Sequence, residues 1–245
     1  MFHDHDNGFT LVELAIALMV IGLLIGGVLK GQELIDNARM TRVLRDIEGF
    51  KTATMIFQNT YGALPGDIKK PGSRLPNCSE APCSTIGDGN GWIGPSVCIA
   101  SCGVSASAIM GMENRRYWLH LAVANLISGV DASGTSTEGF GVNFPESPVG
   151  GGYVMVYSLD ITPTSPYDTF HANALRMVSN LSATLFSYPV LTARQALQLD
   201  SKYDDGKPYK GHVLTSTSST NPCVDASEEY NVSTDGIICS LQFNL

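Results

Sequence analysis

Residues Gly8 to Leu29 read GFTLVELAIALMVIGLLIGGVL, an apolar run broken by a single charge, Glu13. From Phe9 to Leu29 it is roughly 21 residues long, the length a helix needs to cross a hydrocarbon layer about 30 Å thick. A secretory signal peptide is built differently, with a basic start, a shorter apolar region and a small-residue cleavage site behind it. Here the plausible processing point lies in front of the apolar run. Residues 1–8, MFHDHDNG, are polar and short, and Gly8 offers an unbranched backbone that a peptidase could grip in extended form. Cleavage after Gly8 leaves Phe9 as a new amino terminus with the apolar helix still attached.

Glu13 has two compatible readings. Thr10-Leu11-Val12-Glu13 fits the Ser/Thr-x-x-Glu capping box, in which Thr10 caps the helix and Glu13 returns a hydrogen bond to the backbone. A carboxylate within an apolar span also costs on the order of 2.5–3.5 kcal/mol at the bilayer centre and less near the interface, so intramembrane acids are by default functional. A cap near the interface can exchange its partner for another subunit's ammonium.

The chain has 245 residues, 44% hydrophobic and 16% charged, enough for one helix and one globular domain of ordinary size. A net charge of −8 without any basic stretch gives no strong nucleic-acid signal, because phosphate neutralisation needs clustered cations. The six cysteines, Cys78, Cys83, Cys98, Cys102, Cys223 and Cys239, all follow the apolar segment. Their C-x4-C, C-x3-C and distant spacings are not the C-x2-C pattern of zinc sites, and an even count in an exported domain reads as disulfides in an oxidising compartment. Spacing leaves the connectivity open; Cys223–Cys239, closing a C-terminal loop, is the preferred pair.

Beyond the apolar run, Val43, Ile47, Phe50, Thr54, Phe57 and Tyr61 recur at spacings of four and three, which predicts a soluble amphipathic helix from about Lys30 to Tyr61 laid on a globular head. One helix of ~50 residues is ~75 Å long, so its first half must project. The Ala63-Leu64-Pro65-Gly66-Asp67 segment is expected to end it, and the Gly-, Pro-, Ser- and Cys-rich stretch from Pro71 to Gly103 to form a long loop ordered by disulfides. Glu113 to Ile127 reads as a second helix, and Thr192 as the cap of a short one reaching Leu199. Tyr153–Leu159, His212–Thr215 and Ile237–Phe243 read as strands. The expected fold is α+β: a leader over 1–8, a transmembrane or filament-core helix over 9–29, its amphipathic second half over 30–61, and a head over 62–245 with antiparallel sheet and disulfide-bonded loops.

Two acidic turns offer oxygen ligands of the kind calcium takes, Asp88 with Asn90 and Asp200 with Asp204 and Asp205. Neither supplies six to eight ligands alone, and Asp-Gly and Asn-Gly are ordinary turn dipeptides, so the expected cofactor is none, with calcium as the alternative. Glycine-x-serine-x-glycine, His-Glu-x-x-His, phosphate-loop and dinucleotide motifs are missing. His120 lies inside an apolar helical pattern and reads as a packed core residue. No enzymatic role is expected.

Gly8 followed by Phe9-Thr10-Leu11-Val12-Glu13-Leu14 and an apolar stretch resembles the class III signal of type IV pilins and type II secretion pseudopilins. The likeness joins a cleavage glycine, an aromatic first mature residue and a glutamate four positions later. One departure is the leader, where Asp4 and Asp6 with His3 and His5 stand in place of the usual Lys or Arg. The resemblance implies that an inner-membrane prepilin peptidase cuts between Gly8 and Phe9 and methylates the Phe9 amine. It also implies that Glu13 pairs with the Phe9 terminus of a neighbouring subunit. Further implied partners are other pilin or pseudopilin subunits, the inner-membrane assembly platform, and membrane lipid before assembly. The implied location is a single pass in the inner membrane with a periplasmic head, then a periplasmic or cell-surface filament of a Gram-negative bacterium. Leu64-Pro65-Gly66-Asp67, Gly87-Asp88-Gly89-Asn90-Gly91, Trp118-Leu119-His120-Leu121, and Leu191-Thr192-Ala193 on to Lys207-Pro208 resemble segments of large prepilin-like proteins. The region Leu29-Lys30-Gly31 lacks the proline that typical type IV pilins carry there, which leans toward a pseudopilin-like helix. A structural filament subunit is the expected role. A minor or tip pilin that binds a surface, DNA or a secreted substrate is the alternative, and a membrane-tethered periplasmic enzyme a third.

Overall fold

The computed structural model describes residues 10–94, 113–131, 133, 138–159, 171–181, 189–215 and 222–245. Helix α1, Leu11–Tyr61, is unbroken over 51 residues and therefore about 76 Å long at ~1.5 Å per residue. Its first half is exposed along its length, and burial begins at Met40. From there Met40, Val43, Ile47, Ala53, Thr54 and Phe57 are buried, while Phe50 and Tyr61 of the expected stripe are half-buried. Of residues 30–39, the start of the expected amphipathic half, all but the half-buried Gly31 are exposed, and the buried stripe follows them.

The helix ends at Tyr61, as its spacing predicts, ahead of the Pro65-Gly66 pair. Gly62 takes the left-handed conformation (φ 63°) and its N–H donates to the Gln58 carbonyl, an end that a residue without Cβ adopts at little steric cost. The Arg74 guanidinium covers the Tyr61 carbonyl. A single helical turn, α2 (Pro71–Arg74), opens the stretch expected to be loop. Helix α3, Glu113–Val123, is shorter than expected and buried over nearly its whole surface rather than one face.

The sheet has four antiparallel strands, β1 (Gly152–Leu159), β2 (His171–Val178), β3 (Val213–Thr215) and β4 (Leu241–Asn244), in the order β1-β2-β4-β3. Register sets Tyr153 opposite Met177, Met155 opposite Leu175, and Leu175 and Val213 opposite Phe243, and all of these side chains are buried. This face packs on α1 through Phe50 against Tyr153 (5.3 Å between ring centroids). It packs on helix α4 (Ala193–Tyr203) through Tyr203 against Phe243 (5.6 Å). The expected strand from Ile237 begins only at Leu241, because Ile237 is exposed and Cys239 pairs instead with Leu191 in an isolated bridge. Helix α4 opens with the Thr192 cap, whose side chain accepts from the Gln195 N–H at 3.2 Å while Gln195 Oε1 accepts from the Thr192 N–H at 2.9 Å. It runs past Leu199 to Tyr203.

The fold is α+β: a long apolar helix from the amino end, a C-terminal antiparallel sheet, and disulfides bracing the head. Cys78 is bonded to Cys83 and Cys223 to Cys239. Cys98 and Cys102 lie outside the described residues.

Candidate functional site

At the amino end of α1 the Thr10 Oγ1 accepts from the Glu13 N–H at 3.3 Å, and Glu13 Oε2 accepts from the Thr10 N–H at 3.0 Å and the Thr10 hydroxyl at 2.9 Å. These bonds form a complete capping box that satisfies two donors which a helix start otherwise leaves bare. Both bonds donated to the carboxylate fall on Oε2, so the box leaves Oε1 for a further donor. The carboxylate is exposed, and the apolar side chains above it are equally uncovered, with Leu11 86%, Leu18 69% and Leu23 78% exposed. Such a band of leucine, isoleucine and valine in water is unfavourable by about 25 cal/mol per Å². Among the described residues α1 is the helix long and apolar enough to cross a membrane. Gly8 and Phe9, the expected processing pair, lie outside the described residues.

The acidic turns of the head are organised by backbone amides. Asp67 accepts from the Gly89 N–H through Oδ1 and from the Gly91 N–H at 2.8 Å through Oδ2. Glu113 Oε1 accepts from the Asp88 N–H at 3.2 Å and Oε2 from the Gly94 N–H at 2.9 Å. Residues 87–94 thus wrap two carboxylates on other elements, and Gly87 lies so close to the Asp67 backbone that a Cβ would stand 2.5 Å from it. Asp88 accepts from the Asn90 N–H at 2.9 Å and from its side-chain amide at 2.6 Å. Burial raises the pKa of both Asp67 and Glu113, with smaller upward contributions from Asp88. Oxygens of Asp67, Asp88 and Glu113 lie within 4.8 Å of one another. Asp67 and Glu113 were not among the residues expected to form this cluster; their position outside the glycine-rich loop hides them in the sequence.

The second turn also closes on itself. Asp200 is fully buried; its Oδ2 accepts from the Tyr230 hydroxyl at 2.8 Å and its Oδ1 from the Gly206 N–H at 3.3 Å. Burial, then the neighbouring Asp205 and Asp204, push its carboxyl up to about 6 against these two hydrogen bonds. Asp204 accepts from the His212 and Val213 N–H groups, and Asp205 from the Lys207 N–H at 2.9 Å. His120 is a fully buried core residue. Its Nδ1 accepts from the Gly66 N–H at 2.8 Å and its Nε2 donates to the Cys83 carbonyl at 3.0 Å. That pairing selects the neutral Nε2–H tautomer, and burial pushes its pKa down to about 4.

Residues 4–29 match the family model described as the prokaryotic N-terminal methylation motif, the class III signal of type IV pilin-like proteins. The motif supports a precursor of the type IV pilin or pseudopilin kind. It implies assembly into pilus-like filaments with other subunits, and with the long apolar helix it suits a membrane-anchored chain. No curated protein and no solved structure gives a match.

Proposed function

We propose that this chain is a structural subunit of a type IV pilus-like filament or of a type II secretion system. On this reading a prepilin peptidase cuts after Gly8 and methylates Phe9, the apolar half of α1 anchors the precursor in the inner membrane, and the head stands in the periplasm. Assembly then transfers α1 from lipid into a bundle of like helices, where the free Glu13 oxygen meets the Phe9 amine of a neighbour. The role is structural, with neither catalysis nor a cofactor. The observation that carries the reading is the uncovered apolar half of α1 joined to a carboxylate at its start. Soluble proteins do not leave so long a hydrophobic surface bare, and lipid or neighbouring helices are the surroundings that accept it. Mass spectrometry of the mature protein tests it directly, with an amino terminus of N-methylated Phe9 expected. An exported chain that retains Met1 overturns the reading. Glu13→Ala is expected to leave the precursor in the membrane but to abolish its incorporation into filaments.

A further inference from the structure

The loop closed by the Cys223–Cys239 disulfide contains Glu229-Tyr230-Asn231-Val232-Ser233. Asn-x-Ser, with x other than proline, is the acceptor pattern for a sugar on the side-chain amide of an exported surface loop. The same pattern occurs at Asn77 and Asn180, and the surroundings separate them from Asn231. At Asn77 the middle residue is the buried, disulfide-bonded Cys78, and the buried Leu75 stands two places before. Asn180 has the fully buried Val178, the last residue of β2, two places before it, and Ser182 lies outside the described residues. At Asn231 the position two before is the exposed Glu229, and residues 233–237 are all exposed.

The fold presents this asparagine on a turn and leaves its amide open to substitution. The Thr234 N–H donates to the Asn231 carbonyl at 3.2 Å, closing a turn over 231–234, and the Asn231 N–H donates to the Cys223 carbonyl at 2.8 Å. Behind it the Tyr230 hydroxyl donates to the buried Asp200 at 2.8 Å. In the side chain, Asn231 Oδ1 accepts from the Ser233 hydroxyl at 2.7 Å, and Nδ2 donates to the Pro222 carbonyl at 3.3 Å. A side-chain amide carries two N–H groups. One is engaged, so a sugar in place of the other leaves both of these side-chain hydrogen bonds in being. Glu229 adds a carboxylate that a cationic residue of a modifying enzyme can grip. Its pairing with Lys207 at 2.8 Å is a surface contact with both partners about half exposed, and such pairs open at little cost.

We propose that Asn231 is an N-glycosylation site. The donor class is an oligosaccharide carried on a polyprenyl diphosphate, and a transferase on the outer side of the inner membrane supplies the catalysis. Asn231 Nδ2 bonds to the anomeric carbon of the first sugar as the bond from that carbon to the diphosphate oxygen breaks. The lipid diphosphate leaves with the electron pair, and one amide proton passes to a base. The proposal rests on the filament reading for its compartment, since that reading puts the head where donor and transferase work.

The test is mass spectrometry of the full mature chain and its peptides, isolated from the cells that make it natively. The peptide containing Asn231 is expected to be heavier by whole sugar residues, with the added mass on that asparagine. Asn231→Gln and Ser233→Ala are each expected to abolish the addition, and Ser233→Thr to keep it. An unmodified Asn231 in a chain whose Phe9 is methylated overturns the proposal while the filament reading stands. Sugar only on serine or threonine, or sugar that persists in Asn231→Gln, overturns it as well. A chain that retains Met1 and carries no sugar overturns both. Unchanged melting of the variants separates loss of the acceptor from loss of the fold.

Discussion

Asp200 and His120 are buried titratable groups of opposite sign. A carboxyl raised to about 6 binds its proton in the folded head where the unfolded chain has released it, so its contribution to stability is fully present below about pH 4 and is lost as pH rises through 6. A histidine lowered to about 4 does the reverse, since the unfolded chain takes up a proton near 6.5 that the folded head refuses. Its penalty grows as pH falls. Asp200→Asn removes the first effect and keeps an acceptor for Tyr230. The melting temperature of this variant relative to wild type is expected to rise from pH 4 to about pH 6 and then to level off. A difference independent of pH places the Asp200 carboxyl outside this linkage. The carboxylates of Asp67, Glu113 and Asp88 are satisfied by backbone amides, so chelator is expected to leave the melting temperature where calcium leaves it. A chelator-induced drop assigns the cluster to a cation.

At the scale of elements, α1 is attached to the head by a few large contacts. Phe57 is fully buried against Tyr61 and His120, and Phe50 meets Trp118 edge-on at 4.9 Å between centroids. Phe57→Ala is expected to cost about 3–5 kcal/mol, read from urea unfolding by the fluorescence of the buried Trp118. A loss below 1 kcal/mol means that this helix is not seated as described. The stripe that seats it was legible because spacings of three and four survive when one face alone is buried. Strand β1 was legible for its valines and tyrosines. Strand β2 was not: HANALRMV has no alternation, since Ala174 to Val178 are all buried in a strand with neighbours on both sides. Its Ala, Leu, Arg and Met also favour helix. The end of α1 at Tyr61 was legible as well, where the stripe of three- and four-residue spacings runs out, although the left-handed Gly62 cap that closes it ahead of the proline was not singled out. At the site, Thr10 and Glu13 stood in a local motif, whereas the partnership of Asp67 and Glu113 with residues 87–94 arises only on folding.

The whole molecule joins a bare rod to a head whose last strand is secured from outside the sheet. Cys239 is bonded to Cys223, and its backbone exchanges hydrogen bonds with Leu191 at 2.9 and 3.0 Å just before α4. Replacing both cysteines with serine is expected to cost about 3 kcal/mol, the chain entropy of a loop of this length, measured by denaturant titration under oxidising conditions. An unchanged midpoint makes the bond dispensable. Helix α1 runs from the apolar start into the head without an interruption, and this continuity has a mechanical meaning. A hinge would let the head swivel and absorb any load placed on it. Here tension or torque applied at the head is transmitted along a single stiff shaft to its greasy end, so on the filament reading pulling on the head also draws that end out of the lipid.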